Sequence, residues 1–146
     1  MHESIADKGA SLDDWAHFDL VLGLGANLLP CVPAGPEVKV LKGSALEGKV
    51  GKLPSMLNRA GEAHGLREWQ KREIMSNEVA AWSRDRRLNL CVRTGKISGV
   101  YALDIDVADP EKAQEIVAAI EAVTGPLPKR WRANSGKCLL LFRMDE

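Results

Sequence analysis

The stretch Val100-Tyr101-Ala102-Leu103-Asp104-Ile105-Asp106-Val107 decides how the rest of the chain is read. It is the most strand-like run in the sequence, opened by Gly99 and followed by Asp109-Pro110. Side chains alternate across a strand, so Tyr101, Leu103, Ile105 and Val107 share an apolar face while Ala102, Asp104 and Asp106 share the other. The two carboxylates then point the same way, roughly 7 Å apart. Anions so placed raise each other's pKa unless a positive charge lies between them. A hard divalent cation, Mg2+ or Mn2+, meets that need through carboxylate oxygens. Two such ions can clamp the attacking and leaving oxygens of a phosphoryl transfer. The plainer alternative is two solvent-facing aspartates at a strand end, because Asp-x-Asp alone is common.

Downstream, Asp109-Pro110-Glu111 is a helix start, with Asp as N-cap and Pro at the first helical position. Ala113, Ile116, Val117, Ile120 and Val123 form one apolar stripe, ended by Gly125-Pro126. A basic segment follows, Lys129-Arg130-Trp131-Arg132-Ala133-Asn134-Ser135-Gly136-Lys137, and leads into a strand over 138–142. Arg130 and Arg132 share a face and can grip phosphate bidentately. Ser135-Gly136 permits a tight turn that presents backbone N–H groups, and Lys137 adds a point charge suited to phosphate. This is no Walker A loop, since the upstream glycine is absent and no helix follows. A basic edge strand that resists aggregation would look similar.

Upstream, Ser11-Leu12-Asp13-Asp14 has the form of a capping box, and Trp15, Phe18, Val21 and Leu22 continue it at helical spacing until Gly23 and Gly25. Asn27 to Pro33 reads as a short strand. Residues 34–65, rich in Gly, Lys, Ser and Pro, read as a long loop of the kind that is usually functional or disordered. A helical segment over 66–72 and a surer helix capped by Asn77 come next, then a short strand over 88–92 closed by Thr94-Gly95-Lys96. Residues 1–10 read as a flexible tail and 11–146 as one α+β domain with a sheet flanked by helices.

Length and composition fit a single soluble core: 146 residues, 45% apolar, 27% charged. The net charge is zero but uneven. Residues 66–96 hold eight Lys/Arg against four acids, whereas 101–124 carry six acids against Lys112. Such asymmetry points to an anionic partner, or to solvated helix faces. Cys31, Cys91 and Cys138 have no metal-site spacing and read as reduced residues of a cytoplasmic protein. No run is apolar and long enough to span a membrane. His2, His17 and His64 are scattered and read as surface or helix residues. Among the tryptophans, Trp15 and Trp82 fit packing stripes, and Trp131, between two arginines, is the one placed to touch a base or sugar.

Taken in order, these features resemble a known family. Gly25 to Pro33, Lys52-x-Pro54, Asn77 to Trp82, Asn89 to Gly95 with its N-x-x-x-x-T-G spacing, Tyr101 to Asp106, and Ser135-Gly136-Lys137 resemble the motifs of the N-terminal domain of bifunctional DNA primase–polymerases of phages and plasmids, in the archaeo-eukaryotic primase superfamily. The resemblance implies a primase–polymerase-like mixed sheet. It implies Asp104 and Asp106 as the catalytic carboxylates that bind Mg2+ or Mn2+. Ser135 and Lys137 stand where the family carries Ser-x-His, its basic residue on the incoming nucleotide's phosphates; Lys137 keeps the charge but loses a titratable group. Arg130 and Arg132 would join it on the phosphates, and Lys52, Arg93 and Trp131 are candidate contacts to DNA or nucleotide. Arg84, Arg86 and Arg87 could meet template phosphates.

The partners implied are a dNTP or NTP, a single-stranded or primed DNA template, and a helicase domain or protein, in a bacterial cytoplasm with a phage or plasmid origin. The family also has a third acidic motif on a later strand. Asp145 and Glu146 follow the second motif too closely to fill that place, so the sequence reads as the first part of such a domain, an incomplete catalytic core. Three functions stay open: primer synthesis or DNA extension by two-metal nucleotidyl transfer, a non-catalytic nucleotide- or DNA-binding remnant, and a sugar-nucleotide transferase using Asp-x-Asp. The last is disfavoured by the missing glycine-rich Rossmann turn.

Overall fold

A computed structural model describes residues 9–132 and 135–144. The chain divides into two compact units, Met1–Arg93 and Thr94–Glu146. Residues 1–8, most of the expected tail, lie outside the described residues, as do Ala133, Asn134, Asp145 and Glu146. Gly9 and Ala10, read as the end of that tail, are instead hydrogen-bonded to the carbonyls of Arg86 and Leu88.

In the first unit, helix α1 (Leu12–Ala16) opens with the expected capping box. The Ser11 hydroxyl accepts from the Asp14 N–H at 3.1 Å, and the Asp14 carboxylate accepts from the Ser11 N–H at 3.0 Å. The helix then widens into a π turn over His17–Val21. That change of pitch breaks the expected stripe: Trp15 is buried, but Val21 is exposed. Strand β1 (Leu28–Cys31) is buried along its length and has strand β4 (Asn89–Val92) as its antiparallel partner. Pro30 falls at a non-hydrogen-bonded position, between pairs marked by the Arg93 N–H to Asn27 carbonyl bond, so its missing N–H leaves the ladder intact.

The segment 34–65, read from sequence as a long loop, contains regular structure. Strands β2 (Ser55–Leu57) and β3 (Ala63–Gly65) form a hairpin, and residues Lys39 and Leu41 bond to Ala63 along its side. Strands of three residues are too short to show alternation in a sequence, which is why the hairpin was not expected. Residues 67–71 form turns rather than a helix, and Leu66 and Arg72 on either side have no regular structure. Helix α2 (Ser76–Ser83) begins earlier than expected, with Met75 in the cap position in place of Asn77. The Glu78 carboxylate reaches back to the Met75 N–H at 3.0 Å and also pairs with Arg72.

In the second unit, strand β5 (Val100–Ile105), helix α3 (Pro110–Thr124) and strand β7 (Cys138–Arg143) follow the predicted order, and the basic segment between α3 and β7 contributes a further short strand, β6 (Lys129–Trp131). The sheet order is β5-β7-β6, antiparallel throughout. Helix α3 starts as its sequence requires: the Asp109 side chain accepts from the Glu111 N–H at 3.0 Å, with Pro110 behind it. It ends at Gly125, whose φ of 78° is the left-handed conformation a glycine supplies. Ala113 and Val117 pack against Ile105, Cys138 and Leu140. A three-stranded sheet offers a narrow surface, so the outer part of the expected stripe, Ile116 and Val123, stays exposed.

The fold is α+β. Among the described residues, pairing within the three small sheets is antiparallel, and one isolated bridge, Val40 with Ala63, is parallel. Among the described residues no helix is long and apolar enough to cross a membrane.

Candidate functional site

Register places the charged residues of the second unit on one side of its sheet. Asp104 lies opposite Leu139 on β7, and Leu139 lies opposite Arg130 on β6. One step along, Arg132 bonds through its N–H to the Lys137 carbonyl at 3.0 Å, continuing the β6–β7 ladder beyond both strands. Alternation therefore puts Asp106, Lys137 and Arg132 on the same side as Asp104 and Arg130. All five line a shallow depression of ≈ 230 Å³. The opposite side is the one that α3 covers.

Strand β5 ends at Ile105, so Asp106 stands one residue past it, on the loop toward α3. The positive charge expected beside the carboxylates is a lysine: Lys137 Nζ lies 2.7 Å from Asp106 Oδ1. That hydrogen bond and the lysine charge, with Arg132 adding to them, hold the Asp106 carboxyl below the usual aspartate range. Asp104, Arg130 and Arg132 make no side-chain hydrogen bond or ion pair among the described residues. Lys129, by contrast, is held by Glu121 at 2.9 Å.

The turn Ser135-Gly136-Lys137 works differently from the phosphate-cradling turn read from sequence. The Gly136 N–H donates to the Ala108 carbonyl at 3.1 Å, and the Lys137 N–H donates to Ser135 Oγ at 3.2 Å, so both amides are engaged within the fold. A Cβ at Gly136 would lie 2.7 Å from the carbonyl oxygens of Val107 and Asp109. Glycine is needed here for a close approach of two backbones, the one that carries Asp106 and the one that carries Lys137.

The remaining candidates are dispersed. Trp131 lies opposite Cys138, in the row of Ile105 and on the α3 side of the sheet, away from Arg130 and Arg132. Arg93 is buried (6% exposed). Its guanidinium donates to the Asn27 side-chain oxygen and to the carbonyls of Ala26, Trp69 and Arg72, at 2.6–3.1 Å. It joins three segments of the first unit rather than facing a ligand, and charge-assisted bonds offset its burial. Lys52 is exposed. Arg87 is paired with Asp85 by two side-chain hydrogen bonds, while Arg84 and Arg86 are exposed.

A family model described as bifunctional DNA primase/polymerase, N-terminal, matches residues 19–145. The chain belongs to that family. No curated protein and no solved structure gives a significant match. The ordered motifs of the sequence thus identify a primase/polymerase-type domain, and the match spans both structural units.

A metal in a primase/polymerase domain would need oxygen ligands, which Asp104 and Asp106 supply. Among the described residues no third His, Cys, Asp or Glu gathers beside them. Mg2+ is commonly held by one or two carboxylates plus substrate phosphates, keeping waters in its other positions. The donor set fits a metal that arrives with a triphosphate better than one held by protein alone. His64, whose sequence position suggests only a surface or helix residue, and Trp69 line a separate cleft in the first unit. Their one signal was position, inside and just after the long glycine- and lysine-rich segment.

Proposed function

We propose that this primase/polymerase domain binds a nucleoside triphosphate with Mg2+ or Mn2+ on the open face of the β5-β7-β6 sheet and transfers its nucleotidyl group to a DNA 3′-hydroxyl, the new ester bond at the α-phosphorus replacing the α–β phosphoanhydride bond and pyrophosphate leaving. The observation that carries this is the grouping of two carboxylates and three cations on one exposed sheet face. Asp104 and Asp106 would hold the metal. When bound, the metal neutralises phosphate charge and lowers the pKa of the attacking hydroxyl. Arg130 and Arg132, without other partners among the described residues, bind phosphate oxygens and fix their orientation. Lys137 exchanges its ion pair with Asp106 for one with a phosphate oxygen as the triphosphate arrives. Ser135 holds the turn that positions Lys137, through the Lys137 amide. Such catalysis consists mainly of positioning and electrostatic stabilisation.

A second reading, a nucleotide-binding module without polymerase activity, is favoured by one observation: no third acid joins the pair among the described residues. Titration of the protein with a dNTP in Mn2+ tests the first claim. Wild type should bind, and the variant carrying Asp104→Ala and Asp106→Ala should not. Absence of wild-type binding would sink the site. Binding without extension of a primed template would decide for the module.

A further inference from the structure

The first unit contains a cleft that the nucleotidyl-transfer reading leaves unused. It measures ≈ 590 Å³ and lies between the turn at 41–45, Leu53-Pro54 and the segment 64–70. Small-ligand sites commonly span about 300–1,000 Å³. Trp69 and His64 are half-buried in its lining, and Leu66 in the same lining is buried. Lys42 and Arg67 are exposed in the same lining and carry no ion pair among the described residues. Glu68 is the lining's one acid.

The walls are preformed. Arg93 holds the carbonyls of Trp69 and Arg72. The Glu68 carbonyl accepts from the N–H groups of Lys71 and Arg72. Glu68 itself has a φ of 51°, the one positive φ at a non-glycine among the described residues, a conformation that surrounding structure must enforce. Across the cleft, Ser44 Oγ accepts from the Gly65 and Leu46 N–H groups at 3.2 and 3.1 Å. A ligand meeting this site would lose little affinity to ordering it.

Two aromatic side chains beside two cations that have no ion pair among the described residues select a ligand that is planar in one part and anionic in another. A simple anion would not use the rings, and an apolar peptide would not use the cations. We propose that the cleft binds one unstacked nucleotide of single-stranded DNA, its base against Trp69 and His64 and its flanking phosphates on Lys42 and Arg67. The choice of DNA as the strand rests on the family reading above. Exposed Lys52, next to the cleft residue Leu53, is placed to follow the backbone onward.

Fluorescence anisotropy of a labelled oligo(dT) with the full chain, across a salt series, tests this. Lys42→Ala with Arg67→Ala should weaken binding about tenfold and flatten the log–log salt dependence by about 1.4, two phosphates at about 0.7 each for a single strand. Trp69→Leu should cost at least about fivefold, and Trp69→Phe should keep most of the affinity. Mn2+-dependent dNTP binding should be unchanged in all of them. Oligonucleotide binding that survives these changes, or that falls only with Arg130 and Arg132, overturns the cleft. So does a wild type that binds no oligonucleotide, whatever it does with dNTP. Oligonucleotide binding that is lost through the cleft variants while wild type binds no dNTP supports the cleft and sinks the sheet-face site instead. Should Trp69→Leu fail to fold by circular dichroism, the exposed Lys42/Arg67 pair and Trp69→Phe decide the question.

Discussion

The two faces of the β5-β7-β6 sheet are built from alternate residues of the same strands, yet they behave as different materials. On the face under α3, Ile105, Cys138 and Leu140 are packed against Ala113 and Val117. On the other, Asp104, Arg130, Leu139, Lys137 and Asp106 line an open depression. One face holds the unit together and the other holds charge ready for exchange. Period-two alternation lets a short strand do both, with core packing and open-face charge divided residue by residue.

Neighbouring residues on β7 give the sharpest test of that division. Leu140→Ala should destabilise the protein by about 2–5 kcal/mol, because Leu140 is fully buried, whereas half-buried Leu139→Ala should cost about 1 kcal/mol or less. Equal losses in urea melts would break the comparison. On the open face, Lys137→Gln should lower dNTP affinity about tenfold by removing a charge-assisted phosphate contact. Its urea midpoint should barely move, since exposed ion pairs contribute only about 0–1 kcal/mol. At the edge between the faces, Asp109→Ala should cost about 1 kcal/mol by uncapping α3, without altering dNTP binding.

The smallest effect concerns pH. The Asp106 carboxyl is held below its ordinary value by Lys137, so the pair's contribution to stability is present above the unfolded-state aspartate pKa, about 3.9. It is lost as pH falls through the lower folded value. In melts from pH 6 downward, wild type should lose a small increment that Lys137→Gln lacks. Identical pH profiles for the two proteins would show that the pair has no energetic weight.

Much of the second unit was legible in the sequence because its signals are local. An apolar run ending in Asp-x-Asp marks β5, and Asp-Pro-Glu marks the start of α3. The open face needed one thing more: the register that sets Asp104 against Leu139 and Leu139 against Arg130, which no spacing encodes. The Lys137–Asp106 pair could not be read for the same reason. In the first unit the signals are weaker. Arg93 ends a short strand and reads as one more basic residue, but its acceptors lie on residues 26, 27, 69 and 72, and only the folded chain brings them together. The cap at Met75 was missed because methionine has no strong acceptor; the informative residue was Glu78, which closes the cap from the other side.

Gly136 carries a further consequence. Its amide is tied to Ala108, between Asp106 and the cap of α3, while the next residue carries the ammonium that contacts Asp106. The two motifs, separated in sequence by an entire helix, therefore form one mechanical piece. On the proposed function, a triphosphate that drew Lys137 toward itself would act on the peptide bonded to Ala108 and, through it, on the first turn of α3, where the Ala113 amide bonds to the Asp109 carbonyl. Ligand occupancy on the charged face should then be audible on the far side of the sheet, as slower hydrogen exchange at the amides of Gly136 and Ala113, neither of which touches the ligand through its own side chain.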